Sequence, residues 1–256
     1  MSPYQERFQV YVMGPHQDDR LANVLPGETI EQIHVRIDLD APFVLRRRAI
    51  GPITADLPYL KTKWAGPQGE FRSELILESL RQPFFGQNGS PTPVSPGITY
   101  PPNGTITLDL QNTSANPITN LIFYWIGVSL YPWGALPAPT YPAEFRALPF
   151  AQPFLAAAMP TPDIRTNQPF TAKSDGDLVI RGGQAGQTAA GVLAPTAASI
   201  ILKDYNGLPY MNDFVDVNVL FGIGGVAFGT GPGHPGIIYP EIYLPAQQQL
   251  FIDIQR

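Results

Sequence analysis

Residues Pro101–Gln111 read PPNGTITLDLQ. Pro101, Pro102, Asn103 and Gly104 break regular structure and suit a tight turn. Ile106, Leu108 and Leu110 then alternate with Thr105, Thr107, Asp109 and Gln111, the period-two pattern of a half-buried strand. The same phrase returns near the other end as Pro245–Gln255, PAQQQLFIDIQ. Pro101 matches Pro245, and Ile106, Leu108, Asp109, Leu110 and Gln111 match Leu250, Ile252, Asp253, Ile254 and Gln255. One β unit has been written twice.

Four more phrases recur in the same order. Asp40–Gly51 (DAPFVLRRRAIG) is echoed by Asp175–Gly186 (DGDLVIRGGQAG). Leu60–Gly69 is echoed by Ile200–Gly207, with Lys63 and Lys203 each before an aromatic residue and a glycine turn. Phe84-Phe85-Gly86 pairs with Leu220-Phe221-Gly222, and Gly97–Pro101 (GITYP) with Gly236–Pro240 (GIIYP). This order implies an internal duplication.

Between these phrases the strands are short. Phe8, Val10 and Val12 alternate with Gln9 and Tyr11 until Gly14-Pro15. Residues 16 to 27 read as a polar loop. Ile33, Val35, Ile37 and Leu39 alternate with His34, Arg36 and Asp38. Phe71–Arg81 is helical by composition, whereas its counterpart Met211–Leu220 reads as a strand with Val215, Val217 and Val219 on one face; strand or irregular structure, with room for a single helical turn, is the favoured reading. Asn120–Leu130 (NLIFYWIGVSL) is an apolar, aromatic strand. The second copy has no equivalent. The N-terminal strand resembles that aromatic strand. It either completes the second domain by adding to an edge or pairs within the first.

Tyr131–Pro169 holds nine prolines, which disfavours long helices and central strands and favours an extended linker. A short helix is expected near Pro153–Met159. The expected organisation is all-β. An N-terminal arm spans 1–29, a first β-sandwich or jelly-roll-like domain 30–131, a Pro-rich linker 132–168 and a second such domain 169–256. The apolar residues Phe8, Val10, Val12, Trp133, Phe145, Phe150 and Phe154 need a partner surface and are the candidate interface.

Composition narrows the function classes. Across 256 residues, Gly (24) and Pro (29) make up roughly a fifth, while 44% are hydrophobic, as in a folded chain of short strands and turns. Charged residues are only 14%, against about 25% in an average soluble domain. A sparsely charged surface suits a protein that works against other proteins. The net charge of -5 gives no basic field for nucleic acid. The basic run Arg46-Arg47-Arg48 lies in a strand, where consecutive residues alternate faces and cannot form one patch. There is no cysteine, so no disulfide or thiolate chemistry. No signal peptide or membrane-spanning run is read.

The residues offer little chemistry. His16, His34 and His234 have no metal-ligand spacing. His16 with Asp18 and Asp19 reads as a solvated loop. There is no GxSxG nucleophile elbow. Gly222–Gly236 is glycine-rich, but Gly231-Pro232-Gly233 blocks the helix that a phosphate loop needs, and no lysine follows. Asp109 and Asp253 read as outward-facing strand residues or turn anchors. Asn88, Asn103 and Asn112 match the glycosylation pattern and are read as turn residues. No catalytic residue, metal site or cofactor is expected.

The succession of Phe43–Arg46, Phe84–Gly86, Tyr100–Leu110 and Phe123–Gly127 resembles the β-sandwich virion proteins of tailed bacteriophages, with Leu178–Arg181, Leu220–Gly222 and Leu250–Gln255 kept in the second copy. These proteins decorate or cement the capsid or sit around the neck. The resemblance implies a non-enzymatic structural role in the virion, with capsid or neck proteins as partners and homo-oligomerisation. A carbohydrate- or receptor-binding β module is the alternative, to be recognised by a platform of exposed aromatic residues such as Trp64, Trp133 and Tyr205.

Overall fold

A computed structural model describes residues 4–51, 56–65, 75–77, 92–136, 163–171, 177–183, 187–189, 192–194, 198–221 and 236–255. The chain divides into two compact units, Glu6–Tyr131 and Met1–Gln5 with Pro132–Arg256. Strands dominate both.

The first unit runs β1 (Tyr4–Met13), β2 (Asn23–Val24), β3 (Thr29–Arg36), β4 (Phe43–Gly51), β5 (Leu60–Trp64), β6 (Ile76–Leu77), β7 (Thr92–Tyr100), β8 (Thr105–Asn112), β9 (Ile118–Thr119) and β10 (Ile122–Pro132). One four-stranded sheet has the order β1-β10-β4-β7, the other β3-β8-β5-β6, and β2 pairs with β9. Tyr11, Phe43, Leu45, Tyr100, Phe123 and Trp125 of the first sheet share one hydrophobic cluster with Ile33, Val35, Leu60, Ile106, Leu108 and Leu110 of the second.

The second unit runs β11 (Ile164–Thr171), β12 (Leu178–Gly183), β13 (Gln187–Ala189), β14 (Val192–Ala194), β15 (Ser199–Lys203), β16 (Val215–Asp216), helix α1 (Val217–Phe221), β17 (Gly236–Leu244) and β18 (Gln249–Gln255). Its sheet β11-β18-β15-β16 repeats the order β3-β8-β5-β6, and β12-β17 repeats β4-β7. β13 and β14 form a separate hairpin. Among the described residues, no strand of the second unit corresponds to β1 or β10. Two clusters of sheets with matching strand order are consistent with duplicated β domains.

Side-chain burial follows the repeated phrase. From Ile106 to Gln111 buried and half-buried residues alternate until Leu108, Asp109 and Leu110 are all buried, and Leu250 to Gln255 repeats this position by position. The preceding turn is also duplicated. Asn103 and Gln247 both adopt positive φ (57° and 65°), Gly104 N–H donates to the Pro101 carbonyl, and Gln248 N–H to that of Pro245. Only glycine fits at 104, where a Cβ would lie 2.7 Å from the Pro101 carbonyl oxygen.

The ladders correct two of the sequence pairings. Leu45 faces Ile98 and Ile180 faces Ile242, so Tyr100 corresponds to Leu244 and not to Tyr239. The GITYP and GIIYP likeness is therefore out of register with the sheets. Thr62 faces Leu110 and Ile200 faces Ile254, so Lys63 corresponds to Ile201, with Lys203 two places further on.

Other expectations change. The 16–27 stretch contains a 3-10 turn, Asp19–Ala22, and β2, and buries Leu21 and Val24 completely. Leu39 leaves the apolar alternation and is 75% exposed beyond the end of β3. The strand expected over Met211–Leu220 is two residues long and gives way to α1 at Val217. Of Phe71–Arg81 the described part is strand, at β6. Phe84-Phe85-Gly86, the expected helix near Pro153–Met159 and the loop Gly222–Pro235 lie outside the described residues, as do Asn88 and His234. The N-terminal strand takes the edge of the first unit's sheet, and its ladder among the described residues is with β10.

Candidate interaction surface

The two repeated aspartates, read as outward-facing strand residues or turn anchors, are not exposed to solvent but do anchor backbone. Each is buried on the strand before the last residues of its phrase, where it fastens a β-bulge. The β3–β8 register slips between Ile30 and Ile33, which puts Gln32 at φ 56°. Gln32 N–H, freed from the ladder, donates to Asp109 Oδ1 at 2.8 Å. In β11–β18 the slip falls between Arg165 and Gln168, Asn167 takes φ 50°, and its N–H donates to Asp253 Oδ1 at 2.7 Å. A bulge leaves a donor without a ladder partner, and here the buried carboxylate supplies the missing acceptor. Lysine supplies the opposite charge in both places, with Lys63 Nζ 3.6 Å and Lys203 Nζ 2.6 Å from the other carboxylate oxygen. These aspartates are structural fasteners.

The basic run separates as its spacing requires, helped by a bulge. Arg46 is the extra residue of β4 at the slip in its ladder with β10. Its guanidinium donates to Glu6 Oε1 on β1. Arg48 is buried with its guanidinium 4.3 Å over the Trp64 ring, a cation–π contact. Trp64 packs against the first unit's cluster. That occupied ring face is not available to a sugar. Burial, followed by the neighbouring Arg46, lowers the basicity of Arg47.

His16 is exposed, and the adjacent Asp18 is engaged by Arg20, whose Nε and Nη2 donate to it at 2.8 and 2.6 Å. Those hydrogen bonds hold the Asp18 carboxyl below its usual range. His34 Nδ1 lies 3.1 Å from Thr107 Oγ1 on the neighbouring strand. Among the described residues, no three His, Cys, Asp or Glu side chains group as metal ligands would. Asn112 is fully buried. Its Nδ2 donates to the carbonyls of Val24 and Asn116, and its Oδ1 accepts from Ser114 N–H and Oγ–H. It is a loop clamp, closed to glycan attachment.

The candidate interface residues fall into three groups. Phe8, Val10 and Val12 are buried within the chain, on the face of β1 opposite the one from which Tyr11 and Met13 enter the cluster. They therefore do not form an exposed patch. Phe145, Phe150 and Phe154 lie outside the described residues. Trp133 is 68% exposed, at the start of the turn that follows β10. That turn is braced. Ala135 N–H donates to the Pro132 carbonyl, Gly134 takes φ 88°, and Gln5 Oε1 accepts from both Gly134 and Leu136 N–H at 3.0 Å. A large ring on a backbone already fixed loses little conformational freedom when a partner covers it. Nothing in the local sequence marks Gln5 for this task, because its partners lie far along the chain.

No protein-family model matches this chain, and no curated protein matches it in sequence.

Proposed function

We propose that this chain is a structural component of a bacteriophage virion, a capsid decoration, cement or head-associated minor protein that acts by protein–protein binding. In this reading each unit is a β-sandwich of the jelly-roll type.

The carrying observation is the strand order. Take β1, β3, β4, β5, β6, β7, β8 and β10 as eight principal strands in chain order. One sheet then holds the first, eighth, third and sixth, and the other holds the second, seventh, fourth and fifth. That order supports the jelly-roll reading, because eight-stranded double Greek keys, common in capsid proteins and also used by lectins and cupins, interleave their strands in this way. The order of the six central strands recurs in the second unit. The low charge supports binding through apolar and neutral polar contacts. Trp133 supports an anchor role, with the protein bound to neighbouring capsid or neck proteins and to other copies of itself.

The test is co-sedimentation with empty shells of the phage that encodes the chain, at low and at high salt. Pelleting with shells at both salts is the expected result, because few ion pairs are available to be screened. A chain that stays in the supernatant with intact shells overturns the reading. Retention on a glycan surface without shell binding would favour the carbohydrate-binding alternative, for which the exposed Trp133 ring is the supporting observation.

A further inference from the structure

The chain carries three Asn-Gly pairs, of which Asn103-Gly104 and Asn206-Gly207 lie among the described residues. Asn-Gly is the dipeptide most open to spontaneous deamidation, because glycine has no side chain to hinder attack by its own nitrogen. Both asparagines are exposed, and both pairs sit in tight turns. In each the glycine N–H donates to a carbonyl three residues back, Gly104 to Pro101 and Gly207 to Asp204, at 2.9 Å. Sequence and turn hydrogen bond are thus the same at the two sites.

The side chains are not in the same state. Asn103 Oδ1 accepts from Arg36 Nε at 2.5 Å. Its backbone is also held from both sides, since Asn103 N–H donates to the Asp38 carbonyl and Ile37 N–H donates to that of Gly104. Among the described residues the Asn206 side-chain amide has no partner. Only its backbone N–H is engaged, by Asp204 Oδ1 at 2.9 Å.

We infer that Asn206 is a site of spontaneous modification in the folded chain and that Arg36 protects Asn103 from the same fate. Gly207 nitrogen loses its proton to solvent base and bonds to Asn206 Cγ. The Cγ–nitrogen bond of the side-chain amide breaks, and the nitrogen leaves as ammonia. Water then opens the cyclic imide at one of its two carbonyls, giving aspartate or isoaspartate at 206. Either product adds one negative charge beside Asp204. Isoaspartate also lengthens the backbone within the turn that ends in the Lys203–Pro209 bridge and the Tyr210 N–H to Leu202 carbonyl bond.

The experiment follows deamidation by peptide mapping and mass spectrometry of the full chain at mildly alkaline pH, native and in urea. In urea the two sites should react at equal rates. In the native chain Asn206 should react faster than Asn103. Losing one exposed hydrogen bond should speed the Asn103 reaction in Arg36→Ala by roughly two- to tenfold, with Asn206 unchanged. Equal native rates, or a faster Asn103, overturn the inference, as does an Arg36→Ala chain whose Asn103 reacts no faster. The wild-type comparison decides the matter even where the variant fails to fold, a case marked by acceleration at both sites.

Discussion

Gly127 lies opposite Leu45 at the slip in the β4–β10 ladder, on the cluster-facing side of the sheet. A Cβ there would stand 2.0 Å from the Val44 carbonyl oxygen and 2.9 Å from the Phe43 ring. Neither neighbour can retreat, because one is ladder backbone and the other is a fully buried ring set edge-on to Tyr11. Gly127→Ala should therefore cost about 3 kcal/mol or more, at the upper end of overpacking substitutions, read as a lowered urea midpoint. Asp109 makes a second residue-scale case. Asp109→Ala takes the acceptor from the Gln32 N–H in a partly buried site and should cost about 1 kcal/mol. Asp109→Asn keeps an acceptor for that N–H and loses only the partly exposed contact with Lys63, so it should cost less than the alanine variant. An alanine variant no less stable than the asparagine one would show that the bulge does not need its fastener.

At the scale of elements, the hydrogen bond from Tyr243 Oη to Asp177 Oδ2 joins β17 to the residue before β12. It pushes the Tyr243 hydroxyl up to about 12. A raised folded value means that the tyrosine's contribution is intact below the ordinary 10.0 and is lost as pH rises from there towards about 12. The Asp177 carboxyl is lowered by the same bond, then by Ala246 N–H. Its contribution is therefore present at neutral pH and lost as pH falls below the ordinary 3.8. Both groups are close to solvent, so the effect on stability is small, and the sensitive readout is an ultraviolet titration. Wild type should show a late tyrosine step that Tyr243→Phe diminishes without abolishing, because burial and the hydrogen bond to Asp40 push the Tyr131 hydroxyl up to about 12 as well. An unchanged titration would mean that the bond does not form in solution. Much at this scale was legible in the sequence. The repeated phrase located β8 and β18, and the Phe43–Arg46 phrase located β4 and β12, because a strand with one buried face writes its period into its residues. Bulges were not legible. A single extra residue at Gln32 or Arg46 shifts every later side chain to the other face, and nothing in the local composition announces it. Asp109 reads as outward-facing and does alternate with the core residues Leu108 and Leu110, yet it is buried because the bulged Gln32 N–H and Lys63 close over it. Leu39 reads as part of the apolar face because it keeps the phase of Ile33, Val35 and Ile37, but the strand has already ended at Arg36, and likeness in letters matched Tyr100 with Tyr239 where the ladders match it with Leu244. The braced turn at Trp133 was half legible: the exposed ring could be guessed, the bracing by Gln5 could not.

For the whole molecule, each unit carries its own core, and the tryptophans are unevenly shared. Trp64 and Trp125 belong to the first unit's cluster, Trp133 lies just after β10, and no tryptophan follows it. The fluorescence change on unfolding therefore reports mainly the first unit, through Trp64 and Trp125, because Trp133 belongs to the second unit but is already 68% exposed in the folded chain, whereas far-ultraviolet circular dichroism reports strands of both units. Separate cores predict separate cooperative transitions. Leu110→Ala removes a fully buried side chain from the first cluster, and by the cavity argument should cost about 2–5 kcal/mol, moving the fluorescence transition to lower urea. Leu202→Ala, on β15 and buried in the second unit, should move part of the dichroism transition and leave the fluorescence midpoint where it was. If Leu202→Ala shifts both signals together, the chain unfolds as one cooperative body, and the division into two self-sufficient β units fails as an account of its stability.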